Sequence, residues 1–374
     1  MRFMLSSTAL SSRLLLLSKV LNNKNAMQIL DCFLFEIENG KLMLTASDNE
    51  NAMRMSIGLN ESDQNGKFAI NSHWILDAVK ELPEQPLVFN VDMASYQVSI
   101  SYQNGEFNFT AQNADEYPVV QEVAEGATTI EIAPSVLCEN INRSIFATAQ
   151  EELRPVMNGI YFDLTAESLT IVASDGHKLV RNRNYSIKSA TPSAFILPKK
   201  PATLLRNVLA KGEANVKIRF NERNASVTFE EGTLTCRLIE GNYPNYNSVI
   251  PKDNPNKITI DRKGLMSVLR RVLPFASDSS QLIRLHLEPG KLELSSKDLD
   301  FSTSAKENIV CEYTGQIMDI GFKGGSLTEI LGNINSDEII IELADPSRAG
   351  IIVPSTQPEN EEVLMLIMPM LLND

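Results

Sequence analysis

Four polar residues near the middle of the chain include the side-chain types that hydrolases and metal sites use. They are Ser174, Asp175, His177 and Lys178. A serine, a histidine and an aspartate can form a nucleophilic relay, and an aspartate with a histidine can bind a metal ion. These residues are too close in sequence, on one turn, to form a relay without help, and no G-x-S-x-G motif surrounds a serine. We therefore expect no catalytic residue here.

Motifs for metal ions and nucleotides are also missing from the sequence. The chain has only three histidines, and none belongs to an H-E-x-x-H or Cys/His pattern. No G-x-x-x-x-G-K-[ST] motif occurs, so a P-loop ATPase is disfavoured. We expect no metal ion and no cofactor, although an enzyme built on the turn at Asp175 and His177 stays open as an alternative.

The turn with these residues lies between two predicted strands. Leu169, Ile171 and Ala173 alternate with Thr170 and Val172, which is the period-2 pattern of a strand. Asp175 and Gly176 then suit a tight turn, because glycine accepts a positive φ and aspartate can cap its own backbone. A second apolar run follows, so the sequence predicts a strand-turn-strand unit.

This unit occurs three times in the chain. Asp48, Asp175 and Asp298 end equivalent strands, at steps of 127 and 123 residues. Other landmarks recur at similar steps: the helix residues Leu10, Leu137 and Leu265, the phenylalanines Phe68, Phe195 and Phe322, and the prolines Pro118, Pro244 and Pro369. A period this long is too long for a solenoid, so each copy can be a domain.

The repeat predicts an α+β fold of three domains. We place their boundaries at residues 1–124, 125–253 and 254–374, each with two helices on one face of antiparallel sheet. The first twenty residues are basic and rich in serine, like a targeting peptide, but they have counterparts inside the chain. We therefore expect them to belong to the first domain.

The net charge and the cysteines limit the partners and the cellular location that we expect for the chain. The net charge is −13, which taken alone argues against a nucleic-acid binder, yet much of the basic charge lies in the predicted helices. These helix cations either form ordinary solvated faces or meet an anionic partner. Four widely spaced cysteines, Cys32, Cys138, Cys236 and Cys311, indicate free thiols and a cytoplasmic location.

Two apolar features have more than one interpretation. The chain ends with LMLIMPMLLND, which is either a last core strand with a tail or one wall of an apolar groove, where flexible methionines suit adaptable peptide binding. The single tryptophan, Trp74, has helical spacing to Ala78 and is expected in the core or an interface. A triplicated scaffold without nucleic acid stays open as a further alternative.

Three motifs together resemble one known family. They are ASDGHKL at 173–179, GNYPNY at 241–246 and MPMLL at 368–372. With them the whole chain resembles the bacterial sliding clamp, the beta subunit of DNA polymerase III. The resemblance implies clamp-type domains in a head-to-tail homodimer, a ring that encircles and slides on duplex DNA. It implies a non-catalytic processivity factor whose partners are the replicative polymerase catalytic subunit, an ATP-dependent clamp loader and other proteins with a clamp-binding motif.

The resemblance also implies a hydrophobic groove for partner peptides. Its residues, carried over to this chain, are Met157, Ser174, Gly176, His177, Lys178, Leu179, Pro244, Val249, Leu366, Met368, Pro369 and Met370. Two positions depart from the family, because Leu371 and Ser248 stand where it often has arginine. Both departures predict a less basic groove.

A ring around DNA needs two further sets of residues, for which we select candidates from the sequence. The cations expected to face DNA are Lys24, Lys80, Arg143, Lys199, Lys200, Arg206, Arg270 and Arg271. The residues expected at the dimer interface are Phe107, Phe109, Leu273 and Phe275. A ring holds DNA by topology, so a chain of charge −13 needs only non-specific phosphate contacts from these helices.

Overall fold

The computed structural model describes residues 1–22, 25, 27–118, 123–124, 126–150, 153–210 and 212–372, which form an α+β protein. The chain divides into two compact units. The first unit contains Met1–Cys138 and Lys200–Leu238, and the second contains Glu139–Lys199 and Ile239–Asp374. Within the described ranges, no helix has the length and apolar character needed to cross a membrane.

Two α-helices lie in each copy of the repeat, as the sequence predicts. They are α1 Ser7–Leu17, α2 Ser72–Val79, α3 Pro134–Ile145, α4 Lys199–Leu209, α5 Arg262–Val272 and α6 Gly324–Asn333. Ser6 Oγ accepts the N–H of Ala9 at 3.1 Å and starts α1, and Asp261 Oδ1 accepts the N–H of Gly264 at 2.5 Å and starts α5. Pro134 opens α3, a position where the missing N–H leaves no bond unmade.

Short strands make up most of the remaining structure. In the first copy they are β1 Arg2–Ser6, β2 Cys32–Glu38, β3 Lys41–Ser47, β4 Asn51–Gly58, β5 Glu61–Ser62, β6 Gly66–Asn71, β7 Pro86–Asp92, β8 Gln97–Tyr102 and β9 Gly105–Thr110. In the second they are β10 Thr128–Ile132, β11 Gly159–Leu164, β12 Leu169–Ser174, β13 Lys178–Asn184, β14 Ser193–Pro198, β15 Val216–Phe220, β16 Asn224–Phe229 and β17 Gly232–Arg237. In the third they are β18 Asn256–Asp261, β19 Leu282–Glu288, β20 Lys291–Asp298, β21 Thr303–Val310, β22 Met318–Lys323, β23 Glu338–Leu343, β24 Gly350–Pro354 and β25 Glu361–Ile367.

The strands pair antiparallel in two sheets per unit. The first unit has a five-stranded sheet, β5-β1-β7-β8-β9, and an eight-stranded sheet, β10-β15-β16-β17-β4-β3-β2-β6. The second unit has an eight-stranded sheet, β14-β11-β12-β13-β25-β24-β23-β18, and a four-stranded sheet, β21-β20-β19-β22. Each eight-stranded sheet therefore joins strands from two neighbouring copies of the repeat, through β17 with β4 and through β13 with β25.

Apolar side chains from helices and sheets meet in the cores of both units. In the first unit, Phe3 stacks on Phe89 with ring centroids 4.6 Å apart, and Phe35 stacks on Phe68 at 5.2 Å. In the second unit, a large cluster includes Leu265 and other residues of α5, α6 and both sheets. Burial of each such side chain contributes about 1.5–3 kcal/mol, so these contacts hold the helices on the sheets.

The four cysteines are free thiols, as the sequence predicts. Trp74 differs from the prediction of a core residue, because its relative exposure is 56% on α2. Helical spacing to an alanine identifies a helix face, but it does not tell whether another element covers that face. The interface interpretation of Trp74 stays a prediction.

Candidate functional site

The turn between β12 and β13 is held by its own polar side chains. The Asp175 carboxylate accepts the N–H groups of His177 at 2.8 Å and Lys178 at 2.9 Å. Ser174 Oγ donates to the Lys178 carbonyl at 2.9 Å and accepts the N–H of Gly176 at 3.1 Å. Because these groups satisfy the backbone of the turn, Ser174 and Asp175 act there as structural residues.

The charge of Asp175 is compensated at close range. Burial alone would raise the pKa of this carboxyl, but hydrogen bonds from Lys178 Nζ and from the turn backbone outweigh burial and hold its pKa below the ordinary value. Lys178 Nζ lies 2.6 Å from Asp175 Oδ2 and 3.2 Å from Glu329 Oε2. Within the described residues, no group of three or more His, Cys, Asp or Glu side chains is arranged to hold a metal ion.

The end of the chain passes beside this turn. Strand β25 pairs with β13, so that Leu366 lies opposite Leu179. Two residues further on, the N–H of Met368 donates to the His177 carbonyl at 2.8 Å. The N–H of Met370 then donates to the Gly321 carbonyl at 2.8 Å on β22. Backbone bonds therefore fix Met368 against the turn and Met370 against the four-stranded sheet.

A cavity of about 720 Å³ opens beside the turn, within the second unit. Nine of the twelve residues carried over from the family line it: Met157, Ser174, Gly176, Lys178, Leu179, Pro244, Val249, Leu366 and Met368. The other three, His177, Pro369 and Met370, are not among its lining residues. His177 lies in the turn, where its carbonyl accepts the Met368 N–H. Pro369 and Met370 lie in the terminal segment, where the Met370 N–H donates to the Gly321 carbonyl.

The cavity has a buried apolar floor and an exposed apolar rim. Leu179 and Leu366 are each 2% exposed, whereas Val249 is 53% and Met368 is 40% exposed. The rim side chains can still lose water contact when a ligand arrives, and the floor is already packed. The arrangement can therefore bind apolar side chains, which is the chemistry of a peptide groove.

The GNYPNY segment is fixed by its tyrosines. Tyr243 stacks on Tyr161 with ring centroids 4.7 Å apart and an interplanar angle of 4°. Tyr246 Oη donates to Asp163 Oδ2 at 2.9 Å. Burial, with the nearby Asp163 carboxylate, raises the pKa of Tyr246 to about 12, so the phenol stays a donor. These contacts position Pro244 on the cavity wall.

Three cations on the cavity wall were missed by the sequence reasoning. Arg154 lines the cavity from the segment before β11, and Lys252 and Arg348 line it from loops after β17 and after β23. Leu371 and Ser248 predicted a less basic groove, and Lys252 and Arg348 restore positive charge from other positions. The sequence carries no local signal for Arg348, because it is distant from every motif of the groove.

The structure does not support two of the cations expected to face DNA. Arg143 is 7% exposed, and its guanidinium binds Glu139 at 2.7 Å and Glu361 at 2.8 Å. Lys200 Nζ donates to Asp48 Oδ2 at 2.5 Å, to Asn22 Oδ1 at 2.6 Å and to the Val20 carbonyl at 2.6 Å. Three bonds use all three protons of an ammonium group, so Lys200 has none left for a phosphate. These ion pairs weigh against direct phosphate contacts by Arg143 and Lys200, and the two assignments stay predictions.

The other expected cations have varied surroundings. Arg270 is exposed, and exposed Arg271 binds Glu307. Lys80 binds Asp77 at 2.7 Å. Lys199 and Arg206 are half-buried on α4, and Lys24 lies outside the described residues.

The expected interface residues lie on two separate surfaces. Phe107 and Phe109 are half-buried on β9, which is an edge strand of its sheet. Leu273 and Phe275 lie in a 3₁₀ turn directly after α5, where Leu273 packs on the core and Phe275 is 40% exposed. Their pairing in a dimer stays a prediction.

Comparisons with known proteins cover nearly the whole chain. Family models of the DNA polymerase III beta subunit match in order: the N-terminal domain at residues 1–121, the central domain at 131–245 and the C-terminal domain at 247–371. The beta sliding clamp of Pseudomonas aeruginosa is 26% identical over 371 residues, which are 99% of this chain and 100% of the relative. That of Caulobacter vibrioides is 25% identical over 374 residues, which are 98% and 99% of the two chains.

Solved structures agree with these relatives. The sliding clamp of Pseudomonas aeruginosa bound to griselimycin superposes with a TM-score of 0.94 at 25% identity, over 100% of both chains. The DNA polymerase III beta subunit of Thermotoga maritima superposes with a TM-score of 0.90 at 26% identity, also over 100% of both chains.

Proposed function

The chain belongs to the DNA polymerase III beta subunit family, the sliding clamps, and on that premise we propose that its groove tethers partner proteins to DNA. A member of this family is a non-catalytic processivity factor of DNA replication. The observation that carries the proposal is the cavity with a buried apolar floor and an exposed apolar rim beside the Asp175 turn. The partners are the replicative polymerase catalytic subunit, a clamp loader and other proteins with a clamp-binding motif.

Apolar anchors supply the binding energy of this groove. Each apolar side chain that a partner peptide buries is worth about 1.5–3 kcal/mol. Met157 and Met368 adapt to different anchor shapes, because methionine has three rotatable bonds and a polarisable sulfur. Different partners can therefore share the groove and compete for it. The binding of griselimycin by the Pseudomonas relative supports a ligand site on this fold.

We propose that two copies of the chain close a ring head to tail around duplex DNA. The three domains would span residues 1–124, 125–253 and 254–374, with the first domain of one protomer against the third of its partner. The edge strands β9 and β21 support this, because each presents unpaired backbone groups on one side, close to the expected interface phenylalanines. A chain without a nucleotide motif needs a separate ATP-dependent loader, and all these partners are cytoplasmic.

The proposed DNA contacts are non-specific, and all but Lys24, which lies outside the described residues, lie in or next to a helix. Because Arg143 is buried and the Lys200 ammonium group already has three partners, the proposed contacts are Lys24, Lys80, Lys199, Arg206, Arg270 and Arg271. Such contacts weaken as salt rises, because phosphate binding releases counterions. Retention on nicked circular DNA, with release when the DNA is linearised, tests the ring. A protein that never stays on circular DNA, even with a loader, would contradict it.

A matched pair of substitutions tests the groove. Met368→Asp places a charge on the apolar rim, whereas Leu371→Asp changes a side chain that is 85% exposed and does not line the cavity. Calorimetric titration of a peptide with two apolar anchors should give at least about tenfold weaker binding to Met368→Asp, from the lost burial of about one apolar side chain. Binding to Leu371→Asp should not change.

Deletion of Met368–Asp374 is the stronger version of the same test. It removes Met368 from the rim of the groove, together with the residues that follow it, but none of the six described helices, so the proposed dimer should survive while peptide binding is largely lost. Undiminished peptide affinity in a folded, dimeric truncation would show that the peptide site lies elsewhere.

A further inference from the structure

A second cavity, in the first unit, has the chemistry of an anion site. Its volume is about 480 Å³, and Thr45 and Arg54 line it from the sheet face opposite the fully buried core residues Leu44 and Met55. We propose that this cavity binds a small phosphorylated molecule through a hydroxyl-bearing floor and two flanking arginines. The inference goes beyond the proposed function of the groove, which lies in the second unit.

The floor of this cavity carries four hydroxyl groups on two neighbouring strands. Ser226 lies opposite Thr235, and Thr228 lies opposite Thr233, in the pairing of β16 with β17. The Cβ atoms within each such pair are about 5 Å apart, so the four hydroxyl groups share one small area of the sheet face. Within the ranges that the structure describes, none of the four has a hydrogen bond to another protein group. They are therefore available to donate to a ligand.

Two arginines lie on the strands next to this floor, one on each side. Arg219 on β15 is opposite Ser226, and Arg54 on β4 is opposite Thr233. The two arginine strands are three strand spacings apart, or about 14 Å. Both side chains line the same cavity, so a ligand on the floor has a guanidinium group on either side.

Arg219 is the cation with the least compensated charge in this cavity. It is half-buried, and no carboxylate binds it in the described part of the chain. Its Nη2 donates to the carbonyls of Val123 and Ala124, both at 3.4 Å, beyond the usual range of N–H···O distances. A phosphate oxygen at an ordinary distance would therefore be a better acceptor for this guanidinium group.

The other two cations of the lining are in exposed pairs. Arg54 binds Glu36 at 3.1 Å, and Lys67 binds Asp115 at 2.7 Å, with side chains from one third to more than two thirds exposed. Water screens such pairs, so a doubly charged anion can compete with the carboxylates. Three cations thus line the cavity against Glu36 as the one carboxylate of the lining, and this local excess attracts an anion despite the net charge of −13.

The fold does not require hydroxyl groups at this place. Thr45 and Thr233 each lie opposite the same residue of β4, the strand between them. At the corresponding positions of the second unit, Val172 and Leu364 each lie opposite the same residue of β13 and belong to an apolar cluster. The same sheet geometry is therefore compatible with an apolar face, and the threonines have another reason to be there.

A phosphate group matches these donors better than a carboxylate does. A phosphate monoester has three terminal oxygens and up to two negative charges, and planar guanidinium groups bind it through two parallel hydrogen bonds. The cavity volume lies within the range of about 300–1,000 Å³ that is typical of small-molecule sites. A nucleic-acid strand would instead need cations in a continuous track along its backbone.

The test compares inorganic phosphate with acetate as ligands of the full-length protein. Calorimetric titration at low salt in Tris buffer should show at least about tenfold tighter binding of phosphate, because it offers more acceptors and more charge to the same donors. This binding should weaken as salt rises.

Substitutions assign the binding to particular residues. Arg219→Gln should weaken phosphate binding at least about tenfold, and Thr228→Val with Thr233→Val should weaken it at nearly constant side-chain volume. Lys217→Gln is the matched control, because Lys217 is an exposed cation on the same strand and sheet face as Arg219 but does not line the cavity. The control should bind phosphate like the wild type, and circular dichroism should show that all variants are folded.

Three outcomes would overturn the inference. They are equal affinity for phosphate and acetate, an equal loss of phosphate binding in Lys217→Gln and Arg219→Gln, and unchanged phosphate binding in Arg219→Gln when the same variant binds a short DNA duplex more weakly. The last result would assign Arg219 to the nucleic-acid backbone. None of these outcomes bears on the peptide groove, because Arg219 does not line it.

Discussion

The turns of the first and second copies share a scaffold, but the cavities in their two units differ in chemistry. Asp48 accepts the N–H groups of Glu50 at 3.0 Å and Asn51 at 2.7 Å, as Asp175 does for the residues two and three positions on. The residue after each aspartate has a positive φ, 76° at Asn49 and 89° at Gly176. Each aspartate also binds a lysine ammonium group, Asp48 that of Lys200 at 2.5 Å.

The cavities of the two units differ in what lines them. The first unit has a cavity of about 480 Å³, bordered by Tyr117 and Pro118, which repeat Tyr243 and Pro244. Its wall is largely polar: Glu36, Thr45, Arg54, Lys67, Arg219, Ser226, Thr228, Thr233 and Thr235. An apolar anchor would gain little there, because it would desolvate hydroxyl and charged groups without replacing their hydrogen bonds. The repeat therefore supplies the backbone of a groove, and the wall side chains decide whether it suits an apolar peptide.

The largest effect on stability is expected from a substitution at Asp48, which disrupts the shared scaffold of the turns. Asp48→Ala removes a nearly buried carboxylate that holds two backbone N–H groups and the Lys200 ammonium. We expect the free energy of unfolding to fall by about 3 kcal/mol. Urea denaturation measures this loss. Asp298→Ala is the control, since Asp298 holds two N–H groups of its turn and has no lysine partner in the described part of the chain, and it should lose less. Equal losses would mean that Lys200 adds nothing.

The next effect concerns the chemistry of the two walls. Val249→Asp in the second unit removes an apolar contact of the groove, and Thr233→Asp makes a comparable change in the polar cavity. Peptide affinity should fall about tenfold for Val249→Asp, from roughly 1.5 kcal/mol of lost burial, and should stay unchanged for Thr233→Asp. Calorimetric titration measures the peptide affinity of both variants, and circular dichroism checks that both are folded. A loss with Thr233→Asp would place a peptide site in the first unit.

A smaller effect on stability is expected at Gly176 and Asn49, the two turn residues with positive φ. Gly176→Ala strains a left-handed position, and its Cβ would lie 3.2 Å from Arg154 Nη1, so we expect a loss of about 1 kcal/mol in unfolding free energy. Asn49→Gly should change stability by only a few tenths of a kcal/mol, because glycine adopts the positive φ of this position without strain. Thermal unfolding of both variants measures the contrast. A stable Gly176→Ala would show that this turn does not need the left-handed conformation.

The smallest effect is the pH dependence of the second turn. The pKa of Asp175 is lower in the folded protein than its ordinary value of 3.8, so the unfolded chain takes up a proton first as the pH falls. The stability from its hydrogen bonds is therefore present above about pH 4 and is lost as pH falls through the folded pKa. Asp175→Asn should flatten this part of the stability profile, measured by urea denaturation from pH 6 to pH 3. An unchanged slope would contradict the assignment.

The sequence by itself determined the repeat, the helix starts, the strand-turn-strand units and the family. These features depend on local signals: period-2 alternation around Asp175, caps such as Ser6 and Asp261, and three short motifs. Most residues of the groove followed from the same motifs, because β13 pairs with β25 and brings the ASDGHKL and MPMLL segments together. Local patterns and the family resemblance were therefore enough to predict the repeat, the helix starts and most of the groove.

Only the tertiary structure decided which charged side chains are available. Arg143 is neutralised by Glu361, 218 residues later, and Lys200 by Asp48, 152 residues earlier. Lys252 and Arg348 both line the groove, and Asn254 binds across to the loop of Arg348. Ion pairing depends on distances of a few ångströms between residues far apart in sequence, so no periodicity or spacing records it. The sequence supplies the charges, but folding decides which of them are paired and which remain to meet a partner.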